Sequence, residues 1–144
     1  MNFTIPSAVK GVGELLKARI LPEIGDNYAA NMARMAAAVL SISANWADNA
    51  AALRVAENAA IRALLGEAAR LVSGGLAERL ADAAQSADPG LRVSELDAEN
   101  HRLRLLLVEA QALLELRDDA EARAMDQRVW RLLEEIEMSR APVE

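Results

Sequence analysis

Residues 94–117, SELDAENHRLRLLLVEAQALLELR, decide the fold class of this chain. Along this stretch apolar side chains recur in alternating steps of four and three residues, which places them on one face of an α-helix. Ser94 and Asp97 have the spacing of a capping box at its start. The stretch therefore predicts a long amphipathic helix. Its stripe consists of Leu96, Asn100, Leu103, Leu107, Ala110 and Leu114.

The residues that follow predict a second long helix, over 120–138. Asp118 and Asp119 are both suited to cap it, because an aspartate accepts hydrogen bonds from the free amide groups at a helix start. The break between the two helices is short, so we expect the pair to fold back as an antiparallel hairpin. The stripe of this second helix consists of Ala122, Met125, Val129, Leu132 and Ile136.

The residues before this hairpin predict four more helices. We expect Ser7 to cap a helix at 7–21 and Asp26 to cap a helix at 27–47. Pro22 is expected to end or bend the helix at 7–21, because proline cannot donate a helical hydrogen bond. The four helices are expected at 7–21, 27–47, 50–72 and 76–86.

The helices at 27–47 and 50–72 are interpreted as a second antiparallel hairpin, with a break near Asn49. One long bent helix is the alternative, because neither glycine nor proline lies between Trp46 and Leu53. The first of these helices has an apolar stripe of its own, which we interpret as core, with the lining of a cavity for an apolar ligand as the alternative. This stripe consists of Tyr28, Met32, Met35, Val39, Ile42 and Trp46.

The composition agrees with an all-α fold. Hydrophobic residues make up 53% of the chain and aromatic residues only 3%, so good helix formers supply most of the apolar mass. Neither a repeat nor a low-complexity linker interrupts the 144 residues. We therefore expect residues 1–144 to form one domain, a helical bundle built from two long antiparallel helix hairpins plus short accessory helices.

Charge and cysteine content exclude several classes of function. The net charge of −6 disfavours nucleic acid and anionic membrane surfaces, and the acidic excess lies in residues 73–144. No apolar run is long enough to span a membrane. The absence of cysteine excludes disulfides and cysteine-based metal sites, and fits a reducing, cytoplasmic location. We expect a soluble cytoplasmic protein.

Side chains for catalysis or metal binding are scarce. His101 is the one histidine, which excludes a histidine metal cluster, and Glu99 lies two residues before it rather than in the Glu-x-x-His spacing of di-iron bundles. Gly11 and Gly13 belong to no phosphate-binding motif. The sequence therefore predicts no catalytic residue, no metal and no cofactor.

Polar residues near the apolar stripes are the best candidates for a site. Asn100 lies on the stripe of the fifth helix, where a buried amide commonly fixes helix register. The other candidates are expected to form one polar cluster between the helices at 27–47 and 50–72. The cluster is either a buried ion pair or the wall of a ligand pocket that Tyr28 and Trp46 also line. These candidates are Asn31, Arg34, Glu57 and Asn58.

Parts of the chain resemble small uncharacterised helical proteins of bacteria. The resemblance rests on Leu21-Pro22-Glu23-Ile24, on the runs 29–33 and 39–42, and on Glu99-Asn100-His101-Arg102-Leu103. It covers about half of the chain and its motifs are of low specificity. It implies a bacterial domain of unknown function, some of whose relatives are associated with phosphotransferase-like or acyl-CoA-oxidising enzymes, and it transfers no catalytic residue.

These observations favour a non-enzymatic helical interaction or accessory protein. We expect it to form a homo-oligomer or to dock on an enzyme subunit, through the wide apolar stripe of the hairpin at 94–138. The alternative is a bundle that binds a small apolar or acyl ligand between the Tyr28–Trp46 stripe and the third helix. A cavity at that place would distinguish the two hypotheses.

Overall fold

The computed structural model describes residues 3–25 and 27–141, and within them it contains helices and no strand. The all-α class is therefore confirmed. Two compact units make up the described chain, one ending at Ala50 and one spanning Ala51–Ala141. The interpretation as one domain stays a prediction. The elements are α1 (Ile5–Leu15), a π-helical segment (Leu16–Ile20), α2 (Leu21–Ile24), α3 (Tyr28–Ala68), α4 (Gly75–Gln85), α5 (Val93–Glu115) and α6 (Ala120–Arg140).

Helix α3 is continuous over 41 residues, so the predicted break near Asn49 is wrong. The side-chain amide of Asn49 donates to the carbonyl of Asn45, one turn earlier, at 3.3 Å. The amide thus stays beside the helix and caps nothing. Because no glycine or proline interrupts the stretch, the helical hydrogen bonds continue through it. The predicted hairpin of helices at 27–47 and 50–72 therefore does not form, and the alternative of one long helix is correct.

The first unit begins with α1, whose cap is Thr4 rather than Ser7. Ser7 completes a capping box: its amide donates to Thr4 Oγ1 at 3.3 Å, and the Thr4 amide donates to Ser7 Oγ at 3.1 Å. Pro22 does not end the helical path, which reaches Ile24. The wider π-helical turn before it, closed by the Leu21 amide on the Leu16 carbonyl, makes room for the proline ring.

Gly25, with φ of 73°, ends this helical path. The predicted cap of the next helix, Asp26, lies outside the described residues. Asn27 performs the role, since its Oδ1 accepts the Ala30 amide at 3.1 Å.

Small residues join α1 to the first part of α3. Gly13 is buried, and a Cβ added there would lie 3.4 Å from the Ala37 carbonyl oxygen and 3.5 Å from the Leu40 Cβ. Ala30, Ala37 and Ala44 are spaced seven residues apart, which places them on one side of α3, and all three are buried. Helix α1 therefore approaches α3 closely at Gly13, on the alanine side of α3.

The second unit contains the predicted hairpin of two long helices. Asp119 caps α6 by accepting the Ala122 amide at 2.9 Å, which decides between the two predicted caps. The predicted capping box of α5 is wrong, because the helix begins at Val93 without a side-chain cap, and Asp97 instead accepts from Arg54. The largest fully buried apolar side chains of this unit are Ile61, Leu65, Leu80, Leu96, Leu103, Leu114 and Val129.

Candidate interaction surface

The apolar stripe of the first part of α3 lies on the surface of the first unit. Its exposed fractions are 79% for Tyr28, 46% for Met32, 62% for Met35, 59% for Val39, 37% for Ile42 and 52% for Trp46. We call these six residues the heptad face. Their interpretation as core is therefore wrong. The cavity between this stripe and a third helix is wrong too, because both stretches belong to the same helix.

The heptad face is exposed because α1 packs on the other side of α3. With 3.6 residues per turn, Ala30, Ala37 and Ala44 lie roughly opposite the middle of the heptad face. The helix is thus apolar on both sides, and Arg34 is the one charged residue between 28 and 47. An apolar stripe on a helix is normally buried against a neighbouring element. Within the first unit, only the alanine side of α3 is covered.

The heptad face is large and lies in a neutral part of the chain. With about 200 Å² for a fully exposed side chain of this size, the exposed fractions amount to roughly 650 Å² per chain. Residues 1–50 have four basic and four acidic residues, whereas residues 51–141 have twelve basic and seventeen acidic residues. The face therefore lies in the part of the chain that has no net charge.

A second candidate site is a buried polar network in the second unit. Glu57 is 4% exposed, and its carboxylate accepts Nε and Nη2 of Arg140 at 2.6 Å each. It also accepts Nη1 of Arg54 at 3.3 Å and the Asn100 amide at 3.2 Å. Asn100 donates in addition to Oδ1 of Asn58 at 2.9 Å. The expectation that Asn100 is a buried amide between helices is confirmed.

The network continues to the loop between α4 and α5. Asn58 is fully buried and donates to Oδ1 of Asp88 at 2.9 Å. Arg62 donates from Nη2 to Asp88 at 2.8 Å and to Glu99 at 2.7 Å. Two hydrogen bonds from Arg102, together with Arg62, lower the pKa of Glu99 to about 2, although burial acts to raise it. The loop is therefore held to α3 and α5 by charged hydrogen bonds.

The charges of this network compensate one another. Four arginines face four carboxylates, and the pKa of Arg140 is raised by its hydrogen bonds to Glu57. Each carboxylate is engaged by at least one guanidinium within hydrogen-bond distance. The arrangement holds α3, α5, α6 and the loop in register. The charged members are Arg54, Glu57, Arg62, Asp88, Asp97, Glu99, Arg102 and Arg140.

The predicted polar cluster does not form. Asn31 and Arg34 belong to the first unit, where Nη1 of Arg34 donates to Oδ1 of Asn31 at 2.8 Å on the surface. Glu57 and Asn58 belong to the second unit and are buried. Since α3 has no turn near Asn49, these pairs cannot face each other across a hairpin. Their role in ligand binding stays a prediction, as does that of Tyr28 and Trp46 on the heptad face.

Sequence reasoning missed the partners of Glu57 and Asn58. Arg140 and Asp88 lie 83 and 30 residues away along the chain, and no local pattern connects them. One local signal was present: Arg62 lies four residues after Asn58, which places both on the same side of a helix.

The surface expected for docking, the stripe of the α5 and α6 hairpin, is the core of the second unit. Leu103, Leu107 and Leu114 are at most 2% exposed, and Val129 of α6 is 1% exposed. They pack against Leu65 and other apolar residues of the same unit. This stripe is therefore unavailable to a partner, whereas docking through the exposed shoulders of the hairpin, such as Leu113 and Trp130, stays a prediction.

The described part of the second unit also contains open grooves. A groove of about 240 Å³ between α3 and α6 is lined by Ala60, Leu64 and Leu132 and bordered by the Glu67–Arg128 ion pair. A larger groove of about 450 Å³ between α4 and α5, beside Arg79, Arg102 and Leu105, falls within the usual range for small-molecule sites. Within residues 3–25 and 27–141, no three histidine or acidic side chains are grouped to hold a metal ion. None of the described helices combines the length and apolarity that crossing a bilayer requires.

Comparison of the chain with protein-family models, with curated proteins and with solved structures finds no match. The function is therefore argued from the two sites above.

Proposed function

We propose that this chain is a non-enzymatic helical interaction protein that associates with a second copy of itself through the heptad face of α3. The observation that supports the proposal is the exposure of six large apolar side chains at alternating steps of four and three residues. Every second position of the face is seven residues from the last, which is the heptad repeat of helices that pack along their length. A second copy presents the same period by construction.

The size of the heptad face supports a dimer. Stable protein interfaces bury about 800 Å² per partner, and the six side chains alone expose roughly 650 Å². Ala29, Ala36 and Ala38 flank the face and add to the contact. A single apolar patch of this size exceeds what most monomers leave in water.

The charge distribution favours a copy of the same chain. Two copies of a surface repel each other when it carries net charge, and the balanced charges of residues 1–50 avoid that cost. An enzyme subunit docked on this face would be a different partner, and the test below distinguishes it. A cytoplasmic location, as expected from the lack of cysteine, is part of this proposal.

The test is the molar mass in solution, measured by sedimentation equilibrium over a range of concentrations. Met35→Glu with Val39→Glu places two charges on the heptad face of each copy. The matched control is Leu105→Glu with Val108→Glu. These two α5 side chains are also exposed, by 52% and 63%, and they lie three residues apart, close to the four-residue spacing of Met35 and Val39.

We expect a dimer for the unmodified chain and for the control. For the heptad-face variant we expect a dissociation constant raised at least a hundredfold, with unchanged helicity by circular dichroism. A monomer at every concentration would refute the proposal, whether or not another protein binds the face. A dimer that the heptad-face variant leaves intact would refute it as well.

A further inference from the structure

We infer that the two α3 helices of this dimer run antiparallel, with Tyr28 of one copy opposite Trp46 of the other. The inference rests on the proposed self-association and adds its orientation and register. It follows from the order of the spacings on the heptad face, from the residue types at these positions, and from the charge of the chain that follows the face.

The spacing of the heptad face reads the same in both directions. From Tyr28 to Trp46 the steps are four, three, four, three and four residues, which is a palindrome. A copy that runs the opposite way therefore presents the same series of side chains at the same levels. Its two-fold symmetric layers pair Tyr28 with Trp46, Met32 with Ile42, and Met35 with Val39.

The residue types do not suit a parallel pair. Parallel two-stranded coiled coils favour a β-branched residue at position a and leucine at position d. If Met32, Val39 and Trp46 are taken as the a positions, the d positions are Tyr28, Met35 and Ile42. None of these is leucine, and isoleucine at d favours higher oligomers. In the antiparallel register each large aromatic side chain instead stacks on the other kind of aromatic ring.

The charge of the following chain favours the same orientation. The chain passes from the heptad face directly into residues 51–141, where acidic residues exceed basic residues by seventeen to twelve. In a parallel pair the two copies of residue 51, where these negative segments begin, lie side by side at one end of the face. In an antiparallel pair they begin at opposite ends of the face, which separates like charges. Because α1 packs on the alanine side of α3, it leaves the heptad face open for either orientation.

Disulfide formation between engineered cysteines tests the inference, because the natural sequence contains no cysteine. A disulfide requires Cα atoms within about 7 Å. In the antiparallel register, residues 28 and 46 of different copies meet, whereas the two copies of residue 28 lie about 27 Å apart along the helix. The Tyr28→Cys and Trp46→Cys variants are therefore purified separately, mixed in reductant, and then oxidised. Each variant is also oxidised on its own.

Met32→Cys and Ile42→Cys form a second pair that retains both aromatic residues, in case the first pair weakens association. For each pair we expect the mixed disulfide in at least tenfold excess over either homodisulfide, as measured by mass spectrometry of the linked peptides. Leu105→Cys, in the second unit, serves as the control for random collision.

The outcomes separate the two proposals. Homodisulfides at residues 28 and 46 would establish a parallel dimer, which overturns the orientation and leaves the self-association standing. A dimer by sedimentation that forms none of these disulfides would overturn the register. A monomer by sedimentation would overturn the proposed function itself.

Discussion

Replacing Glu57 by alanine removes the central acceptor of the buried polar network. The carboxylate is 4% exposed and accepts two hydrogen bonds from Arg140 at 2.6 Å, one from Asn100 and one from Arg54. In the Glu57→Ala variant these donors lose their common acceptor. Asn100 is only 6% exposed, so water has little access to replace that acceptor. The perturbation thus measures what it costs to leave buried donors without a partner.

The expected magnitude follows from the burial of the two charges. Breaking a buried ion pair on one side costs about 3–5 kcal/mol, because the remaining charge is left uncompensated. The side chain of Arg140 is 31% exposed, so its guanidinium regains part of its hydration. Arg54 keeps Asp97 as an acceptor. We therefore expect the free energy of unfolding to fall by about 3 kcal/mol, the lower end of that range.

Glu67→Ala is the matched control. Glu67 also lies on α3 and also pairs with an arginine of α6, since Nη2 of Arg128 donates to it at 2.7 Å. These two side chains are 43% and 45% exposed, so solvent screens the pair and it contributes little to stability. Urea unfolding followed by circular dichroism gives both free energies. If Glu57→Ala comes within about 1 kcal/mol of the control, the network does not hold the second unit together.

Two further predictions concern pH and close packing. The pKa of Glu99 is lowered from 4.5 to about 2, so this carboxylate stabilises the fold above its unfolded pKa and loses that contribution as pH falls from 4.5 towards 2. Urea titrations across that interval should show about 3 kcal/mol of stability lost to this group, and Glu99→Gln should reduce the loss. Gly13→Ala should leave the melting temperature unchanged or raised, because its Cβ has ordinary contacts with Ala37 and Leu40. Gly13→Leu should lower the melting temperature, and an unchanged value would contradict the close packing.

The second half of the chain was predictable because its signals are local. Asp119 accepts a hydrogen bond from the backbone amide three residues ahead of it, and the stripe with Asn100 lies within one helix. Such signals need no knowledge of distant contacts. The prediction of a break near Asn49 also used a local signal, and it was wrong. Asparagine disfavours a helix only weakly, and the uninterrupted apolar residues on both sides of it outweigh that preference. Contacts such as Glu57 with Arg140 depend on how helices pack, which local patterns do not record.

Hydrophobic spacing identified the heptad face, but it did not indicate that the opposite side of α3 is the one that α1 covers. Two sides of α3 satisfy an apolar pattern, and side-chain size separates them. Gly13 and the buried Ala37 let α1 approach closely, whereas Met35 and Trp46 on the other side would hold a helix farther away. The contact between α1 and α3 gains most from small residues, because dispersion attraction falls steeply with distance. The larger side chains remain exposed to water, and the proposed association would remove the cost of that exposure.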